Sequence, residues 1–321
     1  MNKILLGAAL PALLAFGTIH SATAQTVSHI VFEAEVTTPV TVTKGHSSHT
    51  SYTTYNQIFS MNPDGSDVVQ LTSANASALG PCWSPGQNYI AFSRNQTLYV
   101  MEAKGEANGG RTFVVAPADA TGGCDWSPDG TQLVYEGPSG NLYIVPVDVV
   151  NGKAGGPPVL FRLGSYSGPS WSPDGSKIAF WGSDDGNLPF FIHVRDVVGG
   201  GEYFFGLPSG DNGDPQWSPN GTLIAFDGAV TWTVTTKKGT STSWGYEIFI
   251  ANADGSGITR QTYLDDAAWF PTWSPDGTTI VFFGEVPSGT TFTEGLYTTT
   301  VLGSHVATLL YSDGYAPDWN P

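Results

Sequence analysis

The sequence predicts an all-β fold: a six-bladed β-propeller of four-stranded blades, closed by pairing strands from the two ends of the chain. Two repeated signals and one mismatch at the ends predict it. Trp-Ser-Pro recurs at Trp83, Trp126, Trp171, Trp217 and Trp273, and a shortened copy ends at Trp319. The spacings are 43, 45, 46, 56 and 46 residues, the period of one propeller blade. Seven residues after each internal tryptophan an apolar triplet begins: Ile90-Ala91-Phe92, Leu133-Val134-Tyr135, Ile178-Ala179-Phe180, Ile224-Ala225-Phe226 and Ile280-Val281-Phe282. The ends complement one another. Trp319 has no triplet after it, and the triplet Ile30-Val31-Phe32 has no tryptophan before it. One blade is therefore expected to combine strand A from the C-terminus with strands B, C and D from residues 28–72, which would leave no sheet edge open.

Within a blade, strand A should end at the tryptophan and the triplet should lie in strand B. An aliphatic-aromatic pair such as Leu98-Tyr99 or Ile248-Phe249 should lie in strand C. These are short runs of β-branched and aromatic residues bounded by Gly, Pro, Asn and Asp. The Pro-Asp-Gly that follows Trp-Ser in three copies is a turn with a mechanism. Proline pre-sets φ, Asp bonds the local backbone, and Gly accepts the left-handed conformation. Asp129, Asp174 and Asp276 are thus turn formers. Asn62-Pro63-Asp64-Gly65-Ser66 and Asn252-Ala253-Asp254-Gly255-Ser256 read as C–D turns; they lack the length and distal Glu of a calcium loop.

Before the propeller, residues 1–24 read as a secretory signal peptide. Lys3 precedes a mostly apolar run from Ile4 to Phe16, and Ala22-Thr23-Ala24 is a small-residue cleavage site. The mature protein, residues 25–321, is then one propeller in the periplasm or outside the cell. No other stretch reaches the length of a transmembrane helix. With 12 basic and 28 acidic residues the formal charge is -16, which disfavours nucleic acid. Acidity also serves solubility.

The run Trp-Ser-Pro-Asp-Gly-x-x-Ile-Val-Phe at 273–282, with Ile-Phe-x-x-Asn-x-Asp-Gly-Ser at 248–256, resembles the TolB-type propeller repeat. The resemblance extends over residues 28–321 and implies the six-bladed fold. It implies function only weakly, because one fold hosts many sites. TolB is periplasmic and carries an α/β domain ahead of its propeller, for which no counterpart is expected here, since the first strand begins within a few residues of the cleavage site. Peptidase relatives add a hydrolase domain, yet no Gly-x-Ser-x-Gly elbow occurs in this sequence. Oligogalacturonate lyases carry related propellers with histidine-based metal sites, and no such site maps onto these residues.

Function is expected where the repeat is broken. Two B–C connections are long: about Val36 to Tyr55, holding His46, His49 and Tyr52, and about Ala229 to Gly245, holding Trp232 and Trp244. Gly284 to Glu294 adds a shorter one. Long loops on a rigid scaffold carry function. The D–A loops on the same face are expected to hold Asp119, Asp211, Asp214, Asp265, Asp266 and Asp313, beside Trp269 and Tyr315. These residues suggest a cleft with carboxylates at its floor and aromatic platforms at its rim, suited to a protein or glycan partner. The alternative is a polysaccharide-active lyase or hydrolase using paired carboxylates. His46 and His49 alone do not make a metal site; no metal, cofactor or catalytic residue is assigned. His193 and His305 fall in strand patterns and read as structural. Cys82 and Cys124 stand one and two residues before their tryptophans, so they point either at each other or directly apart. Export favours a disulfide between them.

Overall fold

The computed structural model describes residues 29–44, 47–116, 120–236, 239–264, 267–288, 291–301, 303 and 305–319. The signal peptide, His46, Asp119, Asp265 and Asp266 lie outside these residues. Six antiparallel sheets stand around a central channel. Blade 1 is the composite one: strand A is Gly314–Asp318, B is Ile30–Lys44, C is Ser47–Met61 and D is Val69–Gln70. The expected pairing of the chain ends is present, with Val31 opposite Asp318 and Ala34 opposite Gly314.

Strands A and B of the later blades follow the sequence registers. They are Ala78–Trp83 and Tyr89–Arg94 in blade 2, and Cys124–Trp126 and Gln132–Glu136 in blade 3. Blade 4 uses Ser165–Trp171 and Lys177–Ser183, blade 5 Asn212–Trp217 and Leu223–Thr236, and blade 6 Ala267–Trp273 and Thr279–Ser288. In each triplet the outer two residues and the middle one face opposite sides of the sheet, and all are buried against neighbouring blades. Phe32, Phe92, Phe180, Phe226 and Phe282, with Tyr135 in blade 3, are the largest of these.

The Asp-Gly turns work as their chemistry requires. Asp129 Oδ1 accepts from Ser127 Oγ at 2.6 Å, Thr131 N at 3.0 Å and Thr131 Oγ1 at 2.8 Å. Asp174, Asp276 and, in blade 5, Asn220 repeat this. Hydrogen bonds from Ser127 and Thr131 hold Asp129 below the usual carboxylate range.

Three hairpins outgrow the ring. In blade 1, B and C pair from Ile30–Met61 out to Lys44–Ser47. In blade 5, Leu223–Thr236 pairs with Gly239–Asn252, and in blade 6 Thr279–Ser288 pairs with Thr291–Thr300. The bases of the first two are anchored alike. Thr72 Oγ1 accepts from Ile58 N at 2.9 Å and donates to Gln57, while Thr262 Oγ1 accepts from Ile248 N at 2.9 Å and donates to Glu247. Glu247 is fully buried and is further held by Arg260 at 2.7 Å.

His193 sits on strand C of blade 4 and meets Glu202 at 3.0 Å. His305 departs from the sequence reading. It precedes strand D of blade 6, Thr308–Ser312, with a left-handed backbone (φ 56) that a regular strand pairing does not use. Its ring faces the Gln261 carbonyl.

A girdle of side chains ties the blades together at the waist of the channel. The residue before each tryptophan is Cys82, Asp125, Ser170, Gln216, Thr272 or Asp318. At four seams that side chain accepts the amide of the next blade's tryptophan: Trp171 N to Asp125 at 2.6 Å, Trp217 N to Ser170 at 3.2 Å, Trp319 N to Thr272 at 3.1 Å, and Trp83 N to Asp318 at 2.6 Å. Between blades 5 and 6 the Trp273 indole reaches the Gln216 carbonyl at 3.0 Å. Between blades 2 and 3 the Cys82 sulfur is a poor acceptor, and Trp126 N turns to its own Asp125 at 2.8 Å. There the structure joins Cys82 to Cys124, with Cα atoms 6.0 Å apart. Blade 3 is also the one with Cys124 where the others have Pro81, Pro169, Pro215, Pro271 and Pro317.

Candidate binding site at the hairpin end of the channel

One local distortion shapes the mouth of the channel. Three residues before the tryptophan, strand A bulges and its backbone turns left-handed: Gly80 (φ 58), Gly168 (φ 56), Asp214 (φ 44), Phe270 (φ 54) and Ala316 (φ 46). The register of A against B slips at each bulge. Glycine takes this conformation freely, whereas other residues are strained in it by about 1–2 kcal/mol. Asp214, Phe270 and Ala316 belong to blades 5, 6 and 1, the blades that carry the long hairpins. Strain of this kind concentrates at functional sites.

The mouth is a cavity of about 360 Å³. Its acidic lining is Glu33, Asp125, Glu136, Asp214 and Asp318, joined by Phe270 and Tyr315, and no Lys, Arg or His lines it among the described residues. A second cavity of about 210 Å³ opens on the turn face, walled by the tryptophans and the Ser-Pro prolines. The two share Asp125, Gln216 and Asp318 at the waist.

Three acids come from equivalent places in strand B. The residue after each triplet is Glu33, Ser93, Glu136, Trp181, Asp227 or Phe283, so blades 1, 3 and 5 carry a carboxyl there. Glu33 Oε1 accepts the bulge amide of Gly80 at 2.6 Å. Glu136 accepts from the Ser167 hydroxyl at 2.5 Å and from Thr121 at 3.2 Å. Asp227 lies behind Gly213, where a Cβ would stand 2.8 Å from its Oδ1; only glycine leaves room for it. Asp214, in front, takes the Trp181 indole at 3.1 Å.

Burial dominates the electrostatics. It lifts Glu33 to about 7, against the opposing pull of Gly80 and Tyr315. Asp125 rises to about 8 through burial and the nearby Asp318, which itself rises to about 6. Burial lifts Asp214 to about 6 against the hydrogen bonds from Asp227 and Trp181, and burial together with the neighbouring Asp214 lifts Asp227 well above the usual range. Two of the buried oxygens, Glu33 Oε2 and Asp227 Oδ2, have no hydrogen-bond partner.

Of the residues singled out from sequence, Asp214, Tyr315, Cys82 and Cys124 line this mouth. Asp214 and Tyr315 do so from strand A, not from a D–A loop, because the bulge extends the strand to Asn212 and Gly314. Asp211 instead accepts the Tyr246 hydroxyl at 2.6 Å. Asp313 sits at the turn into strand A of blade 1, outside the lining. Trp269 stacks on Phe283 at 5.8 Å and contacts Tyr246 at 5.7 Å, and Tyr246 meets Trp244 at 6.2 Å. Trp244 and Tyr52 stand exposed on the hairpins, at 69% and 66%. His49 is exposed on its strand, and Trp232 lies on the opposite face of its hairpin from Trp244. Glu33, Glu136, Asp227, Asp125, Asp318 and Phe270 were not singled out. The signal was present: they occupy the positions just after the triplet, just before the tryptophan, and just before the proline that recurs two residues ahead of it in five of the six copies.

A family model described as the TolB beta propeller domain matches residues 28–227. Among solved structures, a putative TolB from Agrobacterium tumefaciens is 21% identical over 78% of this chain and 87% of that one, with a TM-score of 0.60. TolB from Acinetobacter baumannii is 15% identical over 90% of this chain and 83% of that one, with a TM-score of 0.57. At such identities the likeness is one of fold. No curated protein matches the sequence.

Proposed function

Because this chain belongs to the TolB beta propeller domain family, we propose that it is a non-catalytic binding module of the cell envelope, holding a protein partner at the hairpin end of its channel. The observation that carries this reading is coincidence of place. The three overlong hairpins, the three strained non-glycine bulges and the orphaned Glu33 oxygen all belong to blades 1, 5 and 6 at one end of the ring. Hairpins on a rigid ring offer exposed strand edges and aromatic side chains for capture. A signal peptide at residues 1–24 would deliver the chain to the periplasm or beyond. No described helix is long and apolar enough to cross a membrane.

The test is capture from the native envelope. Shortening either hairpin tip, around Gly45 or Gly239, should abolish co-purification of the partner while the thermal transition of the ring is kept. Partners captured unchanged by both shortened chains would refute the reading.

One observation favours a glycan-active alternative. Burial raises both carboxyls of the Asp214–Asp227 pair, the direction a general acid requires, and Asp214 lines the cavity. Cleavage of any member of a polysaccharide panel, lost in Asp214→Asn, would establish it.

A further inference from the structure

We propose that the channel mouth selects a side chain bearing a guanidinium or primary ammonium group, with Glu33 and Asp214 as its counter-charges and the Phe270 ring as its apolar face. This rests on the protein-binding reading above and names what the partner must present.

Glu33 is the starting point. The fold uses Oε1 in the bond from Gly80, and the Tyr315 hydroxyl beside the carboxyl also favours its charged form. The other oxygen, Oε2, has no hydrogen-bond partner, though the residue is only 4% exposed and lines the cavity. Leaving a buried carboxylate oxygen unsatisfied is costly, and a donor supplied by a ligand removes the cost. Asp214 contributes a second carboxyl to the same lining, fixed in direction by Trp181. Among the described residues the cavity offers acceptors and no cationic donor of its own. Its ligand must therefore bring donors and positive charge.

The arrangement suits an organic cation better than a bare metal ion. No three His, Cys, Asp or Glu side chains converge as a metal would require among the described residues. The acids stand apart around a cavity of about 360 Å³, room for one long side chain. Phe270 is 38% exposed and lines the same wall. A guanidinium stacks on aromatic faces and forks onto carboxylates, which places arginine ahead of lysine.

The experiment titrates the full chain with Nα-acetylarginine amide and with its neutral isostere Nα-acetylcitrulline amide, by calorimetry. The buffer is held at about pH 8, above the value of about 7 to which burial lifts Glu33. The arginine probe should bind at least about tenfold more tightly than the citrulline probe, and Glu33→Gln should remove about that factor. Gln keeps an acceptor for Gly80, so the ring should still fold. Phe270→Leu is the second variant and should weaken the arginine probe more than the citrulline probe. Equal binding of the two probes, no binding of either, or full retention of arginine binding in both variants overturns the proposal. So does calcium chloride alone displacing the arginine probe with no loss in Glu33→Gln. The two readings fail separately: a partner captured by tip-shortened chains sinks the protein reading, whereas probes bound alike sink only the cation site.

Discussion

At the scale of single residues, Ala316, Asp214 and Phe270 hold a backbone conformation that their side chains oppose. Ala316 is the cleanest probe, since its methyl group contributes little packing. Ala316→Gly should stabilise the protein by about 1 kcal/mol, partly offset by the greater freedom of glycine in the unfolded chain. Urea denaturation would measure it, and a loss of stability would contradict the strain. The girdle gives the opposite case. Asp125→Ala strips acceptors from Trp126 N and Trp171 N and should cost about 1–3 kcal/mol per buried amide left unpaired. Legibility was uneven here. Glycine before proline at 80 and 168 announces a left-handed turn, but Asp214, Phe270 and Ala316 do not, because only their place in the repeat puts them there. The acids of the D–A loops were read as site residues for being conspicuous. Burial, which sequence does not display, decides which carboxyls are perturbed.

Among the elements, the seam between blades 2 and 3 is the one place where a covalent bond stands in for a girdle hydrogen bond. The Cys82–Cys124 bridge spans 42 residues and is worth roughly 4 kcal/mol in the chain-entropy model. Cys124→Ser should lower the denaturation midpoint accordingly, and reducing agent should reproduce the shift in the parent chain. Mass spectrometry of the unreduced protein gives an independent check; two daltons above the bridged mass would exclude the bond. The hairpins depend on their bases. Thr262→Val keeps shape but leaves Ile248 N without its acceptor, and should raise amide exchange in the blade 5 hairpin before it touches blade 3. Strands, turns and hairpins were readable from the repeat because each is set locally by alternation and turn chemistry. Which hairpins share a face followed from counting blades. The bulges were not readable, since a slipped register depends on contact with the next blade.

The molecule as a whole carries a pH signature. The unfolded chain titrates its carboxyls at about 4, while in the fold Glu33 is lifted to about 7, Asp125 to about 8, and Asp214 and Asp318 to about 6. The folded state thus binds more protons than the unfolded state between those values, and stability must fall as pH rises through them. Glu202 acts the other way. Against the effect of burial, hydrogen bonds from His193, Arg162 and Arg195 hold it at about 2, so its contribution is lost on acidification below its ordinary range. The thermal midpoint should therefore peak at about pH 4–5 and decline toward pH 8. A maximum at neutral pH, measured by scanning fluorimetry, would contradict the buried-acid channel. Glu33→Gln should flatten the upper part of the decline.

Closure in blade 1 brings residues from the two ends of the chain side by side, with Val31 opposite Asp318. A ring so clasped has no structural need for its break to lie in blade 1. Linking residue 319 to residue 29 and opening the chain instead at the exposed Asn151–Gly152 turn should yield the same ring in a new order. Such a permuted protein would carry its fusion points on blade 3, away from all three hairpins, and would let the mouth be displayed on a surface or tethered to a reporter without obstruction.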